Sequence, residues 1–231
     1  MRLSTSKQQS LMDRRIAQPL SASRSRIRVK AGDNWLLTGR KGSGKTTFGK
    51  RLLGSLMKLY PTSRIYVLDV KRRDFEDLRD YIVQTDYQAP GRPDKRLQIW
   101  QPLIEEPEQI EQWLYGIRQD APAFIDIDEL LSLCYGSRNT SEQFKIIQKL
   151  GRDLPIGTMA GTQELVEIPR NAIGQADHYI RFRLRHPYEI SRMNTIMGGV
   201  LDEPIDKYGF YYTHADDQGE PRYFSDLTNF F

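Results

Sequence analysis

The chain has 231 residues, enough for one sizeable core, and its 39% hydrophobic and 28% charged composition is ordinary for a soluble globular protein. No run approaches the ~18 consecutive apolar residues of a membrane span, residues 1–30 lack the apolar centre of a secretion signal, and Cys134 is the sole cysteine; an intrinsic span, secretion and a disulfide framework are therefore not expected. The net charge of +4 is mild but uneven, because Arg2, Lys7, Arg14, Arg15, Arg24, Arg26, Arg28 and Lys30 face only Asp13.

Residues 1–30 accordingly read as a basic, poorly ordered arm, either a solvated tail or a contact for nucleic acid or an anionic partner. Residues 31–231 read as one folded domain. Residues 34–38 form a short apolar strand running into a glycine-rich loop, and 46–60 an amphipathic helix with Phe48, Leu52, Leu53, Leu56, Met57 and Tyr60 on one face, stopped by Pro61. Residues 64–70 have the near-continuous apolar character of a buried parallel strand, 97–100 are a shorter one, and 88–94 between them are a loop. A helix over 107–119 packs through Ile110, Trp113, Leu114 and Ile117, and 123–127 form the next buried strand. Thr140 or Ser141 caps a helix carrying Phe144, Ile147 and Leu150, and 156–160 return as a strand. The spacing then predicts a strand over 177–184, a helix over 188–197 and a hairpin over 209–224 turned at 216–219. Alternation of this kind implies an α/β fold with a mainly parallel sheet and helices on both faces.

The run Gly39-Arg40-Lys41-Gly42-Ser43-Gly44-Lys45-Thr46, with Thr47 behind it, has the form G-x-x-x-x-G-K-[ST]. Glycines let backbone N–H groups turn towards phosphates, and a helix N-terminus behind them adds favourable potential. Lys45 is placed to reach the β- and γ-phosphates of ATP and Thr46 to ligate Mg²⁺. One cysteine with the scattered His178, His186 and His214 offers no zinc-type spacing, so the only metal expected is one carried by a nucleotide.

Phe124-Ile125-Asp126-Ile127-Asp128-Glu129 is an apolar strand ending in two carboxylates, the Walker B arrangement. Asp128 is the candidate for the Mg²⁺ shell and Glu129 for the general base that polarises the attacking water. Asp126 is a rival, because alternate side chains of a strand share a face. A Glu directly after the magnesium Asp argues against a small-molecule kinase, whose nucleophile is its acceptor, and no Asn-Lys-x-Asp run for guanine is present.

With both motifs in place, residues 34–184 resemble the FtsK/HerA superfamily of DNA-pumping ATPases, and in form the compact genome-packaging ATPases of tailless, membrane-containing viruses. The resemblance rests on the P-loop, on Val67-Leu68-Asp69-Val70-Lys71 as a strand ending in Asp-x-Lys, on Asp128-Glu129, and on Arg152-Asp-Leu-Pro-Ile-Gly-Thr-Met-Ala-Gly-Thr-Gln163. It implies a RecA-like P-loop NTPase fold in which Gln163 senses the γ-phosphate from a strand between the P-loop strand and the acidic strand. Arg152, by the same resemblance, is an arginine finger entering a neighbouring subunit's site, against the plainer reading of a helix C-terminal cation. The implied function is ATP-driven translocation of double-stranded DNA, without sequence preference, by a homo-oligomeric ring, a hexamer, acting with portal, capsid-vertex or membrane proteins in the host cytoplasm or virion. The alternatives are a plasmid or cellular translocase of the superfamily, or an assembly factor that uses ATP without pumping DNA. From charge alone, Lys71, Arg72, Arg73 and Arg138 are the candidate DNA phosphate contacts.

Overall fold

In the computed structural model, the structure describes residues 27, 29–73, 81–87, 90, 95–135, 139–150, 153–199, 201, 205–217, 220–228 and 230. Residues 1–26 and 28 of the arm over 1–30, and Arg138 and Arg152, lie outside them.

Strand β1 (Asn34–Thr38) enters the phosphate loop, and helix α1 (Lys45–Leu59) leaves it. Gly44 caps α1 in the left-handed region, with φ 111°. At the other end Pro61 follows, and Arg96 donates to the carbonyl oxygens of Met57 at 3.2 Å and Tyr60 at 2.8 Å, satisfying acceptors that the helix leaves without partners. Then come β2 (Arg64–Leu68), β3 (Tyr81–Gln84), β4 (Leu97–Trp100), α2 (Pro107–Arg118), β5 (Ala123–Ile127) and α3 (Glu142–Leu150). The Ser141 hydroxyl accepts from the Phe144 N–H at 3.1 Å, which makes Ser141, not Thr140, the cap of α3. β6 (Ile156–Thr162), α4 (Arg170–Ile173), β7 (His178–Phe182), α5 (Pro187–Met197), β8 (Phe210–His214) and β9 (Arg222–Phe224) complete the order. Proline at the start of α5 and Gly198 at φ 76° after it mark its two ends.

The strands form one sheet in the order β3-β4-β2-β5-β6-β1-β7-β8-β9. β3 to β7 pair in parallel, and β7 with β8 and β8 with β9 run antiparallel as the expected hairpin. Both faces are covered, which is why the central strands are apolar at nearly every position. Trp35, Leu37, Ile65, Val67, Phe124, Met159 and Phe182 pack with Phe48, Leu52, Leu53 and Leu56 of α1. Leu36, Tyr66, Leu68, Ile125, Ile127 and Ala160 pack on the opposite face with Ile110, Trp113, Leu114, Phe144 and Met193. Burying each large apolar side chain contributes on the order of 1.5–3 kcal/mol. α1 is thereby fixed against the sheet, and with it the loop at its N-terminus.

The sequence reading has no counterpart for β3, whose residues are only half-buried. β2 ends at Leu68 rather than 70, because the chain turns at Asp69, whose carboxylate accepts from the backbone N–H of Arg73 at 2.7 Å.

Candidate active site

The carboxyl ends of β1, β2, β5 and β6 open onto one cleft of about 670 Å³, the edge where open α/β sheets bind ligands. Lys41, Gly42, Ser43, Gly44, Lys45, Thr46 and Thr47 line one side, with Lys71, Arg73, Asp126, Asp128 and Gln163 facing them.

The loop is anchored at its base by Gly39 N–H donating to Thr162 O at 3.2 Å and Arg40 N–H to Arg183 O at 2.9 Å. A side chain at Gly39 would place its Cβ 2.6 Å from Phe182 Cβ, so the loop enters through a gap that only glycine passes. The Lys45 ammonium folds over the loop, donating to the carbonyl oxygens of Gly39 and, at 3.3 Å, Arg40. Burial, with the Lys71 charge adding to it, lowers the Lys45 pKa to about 8. Arg40, Lys41, Thr46 and Thr47 are exposed, while the Ser43 hydroxyl is buried without a protein partner.

Asp126 on β5 and Asp128 just after its end both line the cleft, and burial raises both carboxyl pKa values, that of Asp126 to about 6. Arg73 opposes this. Its guanidinium reaches Asp69 at 3.1 Å, Asp126 at 3.0 Å and Asp128 at 3.3 Å, and is itself 8% exposed. Gln101 donates a further hydrogen bond to Asp69 at 2.8 Å. The rival carboxylate Asp126 is thus engaged through Oδ2 with Arg73, whereas Oδ2 of Asp128 is buried with no protein partner. Glu129, extended at the strand end, accepts from Lys71 Nζ at 2.7 Å through Oε2, and its Oε1 is buried without a partner. β6 lies between β1 and β5, and Gln163 follows it into the cleft. Gly161 permits that close approach: a Cβ there would stand 2.8 Å from the Asp128 carbonyl oxygen.

Charge alone placed Lys71, Arg72 and Arg73 on a DNA-facing surface, and for two of them the structure gives another location. Arg73 is inside the carboxylate cluster and unavailable to a phosphate backbone. Lys71 lines the cleft and is paired with Glu129. Arg72, at φ 51°, is exposed. The sequence reading also missed Tyr208, which lines the cleft from just before β8. The signal for Lys71 and Arg73 was their distance of two and four residues from Asp69, at the end of a buried strand.

Neither a family model nor a curated protein matches the sequence. Solved structures do match in fold. The DNA-packaging ATPase B204 from Sulfolobus Turreted Icosahedral Virus superposes with TM-score 0.68 at 17% identity, over 86% of this chain and 100% of that one. The fold is that of a P-loop ATPase. The genome packaging NTPase B204 from Sulfolobus turreted icosahedral virus 2 in complex with AMPPCP gives 0.69 at 17% identity, over 85% and 98%. The pCW3 conjugation coupling protein TcpA, solved with ATPgS, gives 0.61 at 15% identity, over 86% of this chain and 62% of that one.

Proposed function

We propose that this chain hydrolyses ATP with Mg²⁺ and uses the energy to move double-stranded DNA, as a subunit of a viral genome-packaging ring of the FtsK/HerA superfamily. The observation that carries the reading is the convergence of the phosphate loop, the buried carboxylate oxygens of Asp128 and Glu129 that lack protein partners, and Gln163 around one cleft. Among the described residues no cluster of three or more His, Cys, Asp or Glu is built to hold a metal by itself. One carboxylate and one hydroxyl, Asp128 and Thr46, suit a hard cation that brings phosphate and water as its remaining ligands. That cation would neutralise charge on the transferring phosphoryl group.

Within this reading, the loop N–H groups and Lys45 hold the β- and γ-phosphates, and Glu129 accepts a proton from the attacking water through the oxygen that Lys71 leaves unengaged. Gln163 offers an amide able to donate to phosphate and accept from the water. Arg73 keeps Asp128 ionised and aimed. Arg152, outside the described residues, remains the proposed finger from a neighbouring subunit. Packaging is favoured over conjugation because the likeness to the packaging ATPase, TM-score 0.68 at 17% identity, exceeds that to the coupling protein, 0.61 at 15%. Such a motor works in the host cytoplasm or at the virion vertex, on DNA of any sequence. No helix among the described residues is long and apolar enough to cross a membrane.

The test is ATP turnover with and without duplex DNA, alongside the mass of the assembled particle. Stimulation by unrelated duplex sequences in a ring is expected. Turnover indifferent to DNA in an assembled ring would leave an ATPase but remove the pump.

A further inference from the structure

On the nucleotide reading above, Asp128, Glu129 and Gln163 receive the terminal phosphate, which sets the direction in which a nucleotide lies in the cleft. They stand beyond β5 and β6, to one side of β1, so the terminal phosphate points there. The nucleoside end must leave on the other side of β1, over β7 and β8. Tyr208 stands on that side: it precedes β8, whose Phe210 is in register with Phe182 of β7. Among the described residues lining the cleft, Tyr208 is the only aromatic.

Its ring lies beside the start of α1, with Cδ1 3.6 Å from where a Cβ on Gly44 would be. Tyr208 is 54% exposed, an unusual position for a large aromatic in a concave site. The turn that carries it is held on both flanks. Ile205 is buried, Gly209 N–H donates to Asp206 O at 3.1 Å, and the Tyr223 hydroxyl donates to Asp206 Oδ2 at 2.8 Å. Lys207 Nζ sits 4.9 Å from the ring centroid, a cation on the π-face that steadies its orientation. The turn thus presents an exposed aromatic ring beside the phosphate loop.

We propose that Tyr208 is the nucleobase platform of this cleft, stacking on the base while the loop holds the phosphates; the inference rests on the nucleotide reading above. Stacking uses the π-face that every base has, so it adds affinity for nucleotides over bare phosphates without choosing adenine over guanine.

The experiment is equilibrium binding of ATP, GTP and tripolyphosphate to the full chain and to Tyr208→Ala, Tyr208→Phe and Tyr208→Trp. Tyr208→Ala is expected to raise the Kd for ATP and GTP about tenfold or more while leaving tripolyphosphate unchanged. Tyr208→Phe should bind like wild type. Trp35, Trp100 and Trp113 are buried, so Tyr208→Trp should show new emission that ATP quenches and tripolyphosphate does not. Unchanged ATP affinity in Tyr208→Ala, or an equal loss for ATP and tripolyphosphate, would overturn the platform while leaving the nucleotide reading intact. A wild-type chain that binds none of the three would overturn both.

Discussion

Arg73 balances three carboxylates with one guanidinium, and this sets what its loss would do. Arg73→Met leaves Asp69, Asp126 and Asp128 buried against one another without a counter-charge, and the expected loss is about 3–5 kcal/mol in urea denaturation. Arg73→Lys should recover only part of it, since an ammonium cannot reproduce the planar fork that spans several carboxylates. Lys45 gives a second, pH-dependent expectation. Its pKa of about 8 means that the charged form needed by phosphate is lost as pH rises through that value, so the Kd for ATP should climb between about pH 8 and 9.5. The sign for stability is opposite. The folded pKa lies below the unfolded 10.5, so charge burial at Lys45 costs stability that is fully felt below about pH 8 and fades towards 10.5. Lys45→Met should therefore melt higher than wild type at neutral pH, with the gain vanishing near pH 10 and no ATP bound at either. A melting difference independent of pH would count against a buried Lys45 charge. The P-loop and the acid pair could be nominated from the sequence because their spacing encodes backbone geometry, and the structure brings the loop and Asp128 to one cleft. The pairing of Arg73 and Lys71 with carboxylates was not legible, because charge says nothing of what a side chain folds back upon.

At the scale of elements, β6 is a strand with little room at Gly157. A Cβ on Gly157 would meet the carbonyl oxygens of Ala31 at 2.3 Å and Asp33 at 2.9 Å, and Phe124 Cδ2 at 2.8 Å. Backbone oxygens cannot rotate aside as a side chain can. Gly157→Ala is expected to cost about 1–3 kcal/mol or more through displaced backbone, measured as a lower denaturation midpoint. Gly198→Ala is the contrast: nothing lies near its Cβ, and only the left-handed backbone at φ 76° opposes it, at a cost of roughly 1 kcal/mol. Equal midpoints for the two variants would refute the crowding argument. The same crowding explains what could be read of the elements. β1, β2, β5 and β6 are covered on both faces and announce themselves as apolar runs. β3 has only the short run Tyr81-Ile82-Val83, with Ile82 at 37% and Val83 at 43% exposure, and joins the sheet through its backbone. The choice between Thr140 and Ser141 likewise needed a hydroxyl's position, which spacing does not supply.

For the whole molecule, the ring proposal turns on Arg152. If it completes the neighbour's site, Arg152→Ala and Glu129→Gln subunits are each inactive alone, yet an equimolar mixture should regain activity at about a quarter of its interfaces, those pairing an intact Glu129 with an intact Arg152. Measuring turnover across mixing ratios, in rings shown to exchange subunits, checks this; no recovery would place the arginine in its own subunit's site or outside the chemistry. Mixing is visible only in assemblies, and no single chain's sequence displays a neighbour. The strand order has a further consequence for how the chain comes into being. β1, the first strand in sequence, pairs with β6 through Asn34 to Thr158 and with β7 through Trp35 to His178, so it sits near the middle of the finished sheet. During synthesis Trp35 and Leu37 leave the ribosome long before either partner strand exists. They emerge with only α1 to cover one face, in a strand whose two edges stay unpaired until more than half of the chain has followed. Long-range parallel pairing of this kind folds slowly and exposes strand edges meanwhile. Cooler growth or a bound chaperone should therefore raise the soluble yield of this protein more than any change at the nucleotide cleft.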